Sequence, residues 1–257
     1  MGAITLRAAL PRDGRRRYAH PVDALTLSRM ADGSPEIFAS VQGEGVSAGM
    51  PSTFVRLAIC NLRCTWCDTA YTWDWSRFDR ASQTMTMTAG EVAAQVAMRE
   101  PASVVITGGE PLLQRRQLAP LARMLKLAGY RIEVETNGTV APGPLEPFVD
   151  QWNVSPKLAH SGNEGLARLR PGALRALAAT GNAWLKFVVA DVGDVEEAEA
   201  IREAAGIPRQ RAQLMPEGRT AAELSARSPW LAQLCAREGY RFTTRLHIYI
   251  WGDKRGV

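Results

Sequence analysis

Three of the four cysteines in this 257-residue chain fall within eight positions, in the stretch "AICNLRCTWCDT" (58–69). They run C-x3-C-x2-C, from Cys60 through Cys64 to Cys67. Thiolates are soft ligands, suited to zinc, copper(I) or an iron–sulfur cluster. A structural zinc site wants four ligands, commonly as two pairs. His20, His160 and His247 are each distant in sequence. Cys235 lies in "WLAQLCAREG", where a small buried apolar residue on a helix is the plainer reading. A cubane [4Fe–4S] cluster takes four ligands, so three cysteines leave one iron open to bind a small molecule.

"TGGEP" (107–111) follows a short apolar run. Its adjacent glycines let a backbone approach a ligand closely, since no Cβ intervenes, although a tight turn uses the same residues. "ETNG" (135–138) and "SPK" (155–157) each follow a further strand-like segment.

The elements that must position these stretches alternate. Strand-like segments are "STFVRLAI" (52–59), "SVVIT" (103–107), "YRIEVET" (130–136), "QWNVS" (151–155), "AWLKFVVA" and "RAQLM". "RFTTRLHIYI" reads as a last β segment. Between them, "TAGEVAAQVAMRE" opens on Thr88 with Glu91 three residues on, a capping box. "QLAPLARMLKLAG" reads as a helix stopped by Gly129, "GALRALAAT" stops near Gly181, and "VEEAEAIREAAG" ends at Gly206. Thr220 with Glu223 offers another cap. The alternation predicts an α/β fold with a parallel sheet and helical crossovers, and both doubly wound sheets and barrels fit. In either, ligands gather at the C-terminal ends of strands. The cysteines, "GGEP", "ETNG" and "SPK" all fall there, which predicts one shared site.

Composition narrows the setting. No run of eighteen apolar residues is present, so no membrane-spanning helix is expected. The first residues lack the apolar core of a secretory signal. The cytoplasm is the expected compartment, where clustered thiols stay reduced. The net charge of +5 owes much to Arg15–Arg17, and no aromatic residues interleave with basic ones as nucleic-acid binding would want. No repeat of solenoid length is visible.

The cysteine spacing, with Trp66 before the last cysteine and "TGGEP" after the next strand, resembles the radical S-adenosylmethionine superfamily. A narrower resemblance, to the 7-carboxy-7-deazaguanine synthase family, covers most of residues 36–257. It is carried by "EIFASVQGEG" (36–45), "RLAICNLRCTWCDTAYTWDW" (56–75), "TGGEP", "ETNG", "SPK", "LMPEG" and the terminal "HIYIWGDKRGV". Residues 1–35 match nothing there and are expected to form an N-terminal leader to a catalytic domain of residues 36–257. The resemblance implies a modified partial (β/α)6 barrel, often a homodimer. It also implies a [4Fe–4S] cluster, S-adenosylmethionine, magnesium and a flavodoxin-type reductant. The reaction implied is that of a lyase converting 6-carboxy-5,6,7,8-tetrahydropterin to 7-carboxy-7-deazaguanine with loss of ammonia. In it an adenosyl radical takes the C6 hydrogen and later returns it.

The resemblance also implies roles for residues. Cys60, Cys64 and Cys67 hold the cluster, and Thr69 ligates magnesium. Gln42 and Glu44, with backbone at Val41 and Gly43, pair with the pterin ring, while Arg56 grips its carboxylate and Thr107 contacts it. Trp66, Asp68, Gly109, Ser155, Pro156 and Lys157 contact S-adenosylmethionine, with Glu135 and Gln213 as further contacts. Trp73 and Trp75 could wall the pocket, with packing the plainer role, and no side chain is assigned as acid or base. A glycyl-radical activase would share the cluster, but has no reason to carry "QGEG", Arg56 and "CDT" together. An electron carrier normally binds its cluster with four cysteines.

Overall fold

The computed structural model describes residues 24–257. Arg15–Arg17, His20 and most of the expected leader lie outside the described residues. Ten strands form one sheet: β1 (Ala24–Ser28), β2 (Ile37–Val41), β3 (Pro51–Leu57), β4 (Thr84–Thr88), β5 (Ser103–Gly108), β6 (Arg131–Thr136), β7 (Gln151–Val154), β8 (Ala183–Val189), β9 (Ala212–Pro216) and β10 (Arg241–Phe242). Their order is β10-β9-β8-β7-β6-β5-β3-β1-β4, with β2 also on β3. From β3 through β10 every neighbouring pair is parallel. β1, β2 and β4 add antiparallel pairings at one side.

The helices are α1 (Arg80–Gln83), α2 (Ala89–Ala97), α3 (Arg115–Leu127), α4 (Gly165–Arg168), α5 (Pro171–Ala179), α6 (Val192–Ala205), α7 (Ala221–Glu238) and α8 (Leu246–Trp251), and α2, α3, α5, α6 and α7 bury residues in the apolar core on the outer face. The capping boxes read at Thr88 and Thr220 both form. The crossover from β6 to β7 has only a 3-10 segment, Gly143–Phe148.

Period-2 alternation divides each parallel strand. Val55, Leu57, Val104, Ile106, Ile132, Val134, Trp152, Val154, Phe187 and Leu214 belong to the apolar core. The alternate residues Arg56, Thr107, Glu135, Asn153, Lys186 and Met215 line a central cavity. The sheet is thus apolar outside and largely polar inside, as a barrel built around a polar ligand requires.

Two sequence expectations are corrected here. The segment 24–28, assigned to the leader, is a sheet strand whose Leu25 and Leu27 are fully buried. The folded domain therefore starts before residue 36. The β segment read over "RFTTRLHIYI" is a strand only at Arg241–Phe242, and Leu246–Trp251 is helical. Its last ladder bond runs from Thr243 N to Leu214 O at 3.0 Å. Beyond it the chain turns across the open side of the sheet. Leu246 N donates to Gly43 O at 2.8 Å, and Gly45 N donates to Thr243 Oγ1 at 3.0 Å. Arg255 reaches back to Ser28, Arg29 and Glu36. The C-terminal segment spans the gap that strand pairing leaves.

Candidate active site

A cavity of about 470 Å³ opens at the C-terminal ends of the parallel strands. The cysteine loop leaves β3 through Ile59, whose φ of 77° is left-handed. A β-branched residue holds that conformation at a cost of about 1–3 kcal/mol, so the surroundings must impose it. They do so through two anchors. Ile59 N donates to Thr72 O at 2.7 Å, and Glu110 N donates to Ile59 O at 2.8 Å. The glycine pair is packed into the same place. A Cβ on Gly108 would lie 2.1 Å from Leu57 O, and one on Gly109 would lie 2.3 Å from Ile59 O and 2.9 Å from Cys60 N. The close approach these glycines permit is to the chain's own cysteine loop, although both also line the cavity.

Cys60, Cys64 and Cys67 all line the cavity, and all four cysteines are free. Burial pushes the Cys60 thiol up to about 12 and raises Cys64 as well. Cys235 is buried in the apolar core, as its helical context predicts. Among the described residues, no three His, Cys, Asp or Glu side chains draw together tightly enough to hold one metal ion.

Beside the thiols lie Trp66, Ser155 and Lys157. Lys157 Nζ donates to Ser155 Oγ at 3.0 Å and stands 5.5 Å over the Trp66 ring. Pro156, between them, is buried and does not line the cavity. Gln213 does not line it either. Its neighbour on the same strand face, Met215, does, and Gln213 sits one layer deeper, near Gly45 and Asn153. Thr69 lines the cavity, with its Oγ1 3.6 Å from Cys67 Sγ. It occupies the cap position of a 3-10 turn without capping it through its side chain.

Across the cavity stands a charged array. Glu135 accepts from Gln42 Nε2 at 3.1 Å and from Thr107 Oγ1 at 2.7 Å. This groups Glu135 with the residues expected at the substrate. Arg56 Nε donates to Glu36 Oε1 at 2.7 Å, and Tyr71 and Arg255 also donate to that carboxylate. Among the described residues the two Nη groups of Arg56 have no hydrogen-bond partner, and the side chain lines the cavity. Glu44 is bound by Lys186 and, at 3.0 Å, by Arg245 Nε. Burial alone would raise its pKa, but the Lys186 and Arg245 charges overcome it and hold the carboxyl well below the usual range. Arg245 also pairs with Asp68 and donates to Gly218 O at 2.9 Å. Burial opposes ionisation of Asp68 too, yet Arg245 leaves it below its ordinary value. His247 lies against Gly43, where a Cβ would come within 2.1 Å of its Nδ1. Burial lowers its pKa, so it is a neutral imidazole at pH 7, with one donor and one acceptor nitrogen.

A model of the Radical SAM superfamily matches residues 55–174. The 7-carboxy-7-deazaguanine synthase of Pyrobaculum aerophilum is 43% identical over 224 residues, covering 86% of this chain and 95% of its own. That of Halobacterium salinarum is 41% identical over 85% of this chain and 90% of its own. The chain belongs to the 7-carboxy-7-deazaguanine synthase family. Among solved structures, QueE from Escherichia coli aligns with a TM-score of 0.64 and 24% identity, covering 87% of this chain and 95% of that one, and so shares its fold.

Membership in this radical S-adenosylmethionine family brings a [4Fe–4S] cluster and S-adenosylmethionine as cofactors, and the residues present fit both. Three soft donors line one cavity with no fourth cysteine beside them, the donor set of a cubane with one open iron. Sequence reasoning missed several members of the site. Glu36, Tyr71, Lys186, Arg245, His247 and Arg255 all line the cavity. One physical signal pointed to Lys186 and Arg245: an acidic residue buried at a ligand site needs a cation beside it.

Proposed function

We propose that this enzyme converts 6-carboxy-5,6,7,8-tetrahydropterin to 7-carboxy-7-deazaguanine with release of ammonia. The observation that carries this reading is one cavity walled by the three cluster cysteines on one side and by the charged array on the other. The cluster, when bound, supplies the electron that cleaves S-adenosylmethionine. The chain's own residues hold the two reactants together. Trp66, Ser155 and Lys157 hold S-adenosylmethionine next to the thiols, and the backbone of Gly109 borders the same space. Arg56, its Nε held by Glu36, turns its Nη groups to the substrate carboxylate, a planar match that a lysine does not offer. Glu44, kept ionised by Lys186 and Arg245, accepts from the donor edge of the pterin. Gln42, Glu135 and Thr107 complete the pairing, and neutral His247 adds one donor and one acceptor.

Thr69 and the substrate's oxygens would share a magnesium ion that keeps several waters, as this hard ion prefers. All four cysteines are free, in keeping with a cytoplasmic setting. No described helix is long and apolar enough to cross a membrane. A flavodoxin-type donor and a homodimer complete the family expectation. The test is anaerobic loading of the cluster, followed by incubation with dithionite, S-adenosylmethionine and the carboxypterin. Deazaguanine with matching ammonia is expected. Cleavage of S-adenosylmethionine with the pterin left unchanged would sink the reading.

A further inference from the structure

We propose that Trp73 and Asn163 set the reduction potential of the cluster by donating N–H groups to its cysteine sulfurs. Each of the three sulfurs accepts from a different donor. Leu62 N donates to Cys60 Sγ at 3.4 Å, Asn163 Nδ2 to Cys64 Sγ at 3.3 Å and Trp73 Nε1 to Cys67 Sγ at 3.3 Å. The first is backbone. The other two are side chains to which the expected roles assign no part at the cluster, although Trp73 lines the cavity.

Both donors are held in orientation. Asn163 Oδ1 accepts from Arg63 N at 2.8 Å, which fixes which end of the amide faces the sulfur. The segment carrying Asn163 is laid along the cysteine loop. Thr65 N donates to Ser161 O at 3.0 Å, and a Cβ on Gly162 would come within 2.7 Å of the Thr65 methyl. Trp73 stands just after Thr72, whose carbonyl anchors Ile59. An indole N–H can only donate. Among the described residues, two other buried indole N–H groups, those of Trp66 and Trp152, have no acceptor, whereas that of Trp73 is aimed at a thiol.

One-electron reduction adds negative charge to the cluster and its sulfurs. An N–H aimed at a sulfur stabilises the more negative state more strongly, and so raises the potential. Such outer partners typically change metal-site properties by tenfold or more. The inference rests on the cluster and not on the identity of the substrate, so every measurement omits the pterin.

Trp73→Phe keeps a ring and removes the N–H, and Asn163→Leu removes the amide at similar volume. Both loaded proteins are titrated anaerobically with dithionite and redox mediators, with iron and sulfide measured on the same samples. The expected result is a shift of about tenfold in the one-electron equilibrium toward the oxidised cluster, about 59 mV more negative, at unchanged iron content. A purely packing role would lower iron content without moving the potential of what remains. Fully loaded variants with the wild-type potential overturn the proposal. Should one variant hold no cluster, the other decides: exchange into heavy water should shift its Fe–S(cysteine) resonance Raman bands less than those of the wild type, since only the remaining N–H donors become N–D, and equal shifts overturn the proposal.

Discussion

Arg56 shows how one side chain serves two partners. Glu36, buried and bonded also by Tyr71 and Arg255, holds the guanidinium through Nε and leaves its Nη groups facing the cavity. Arg56→Ala should raise the apparent KM for the carboxypterin by roughly ten- to hundredfold, about 1.5–3 kcal/mol for a charged hydrogen bond. The cluster's absorbance should be unchanged, and its loss would count against the assigned role. Thr69→Ala is expected to weaken the response of turnover to added magnesium, read as a higher half-saturating concentration, while iron content stays the same. At this scale the local motifs were legible, because cysteines and a glycine pair carry their chemistry in their spacing. Lys186, Arg245 and His247 were not: Lys186 sits mid-strand in β8, Arg245 stands at the N-cap of α8 and His247 lies in its first turn, and the partners that call for them, Glu44 and Asp68, are far away in sequence.

At the scale of elements, the join between β3 and β5 decides whether the cysteine loop has its shape. Gly109→Ala places a methyl against Ile59 O and Cys60 N, and backbone there must move. Overpacking of this kind costs about 1–3 kcal/mol. Iron content after anaerobic loading should fall clearly, with the far-UV spectrum of the fold retained. The strands and main helices were legible because apolar runs, caps and glycine stops agreed. "RIEVET" and "QWNV" also carry a legible alternation, apolar toward the helices and polar toward the cavity, which reading them simply as strands passed over. "ALTLS" at β1 carries the same period at the start of the described residues. "RFTTRLHIYI" misled for a different reason. Its residues favour strand, but the chain there must leave the sheet to bring Arg245 and His247 to the cavity.

For the whole molecule, the charged interior of the barrel makes stability depend on pH. Burial disfavours ionised Glu36, Glu44 and Asp68, yet their arginine and lysine partners win and lower all three pKa values. Below about pH 4 the unfolded chain therefore takes up protons that the folded chain does not, and stability present above that pH is lost as pH falls. His247, lowered by burial, acts in the same direction from about pH 6.5 downward. Glu110, raised by burial, acts in the opposite direction and is outnumbered. The melting temperature should fall most steeply from about pH 5 downward, where the unfolded chain's carboxyls take up protons, measured by circular dichroism. On the outer face, Trp152 is fully buried among the helices, and Trp152→Ala should cost about 3–5 kcal/mol in denaturant unfolding.

In the proposed reaction a cleavable sulfonium and a carboxypterin share one cavity, close enough for a hydrogen atom to pass between them. Carboxypterin deuterated at C6 tests this directly, by mass spectrometry of the S-adenosylmethionine recovered after turnover. Deuterium carried into the recovered S-adenosylmethionine is the predicted result. Deazaguanine formed while the recovered S-adenosylmethionine stays free of deuterium would contradict it.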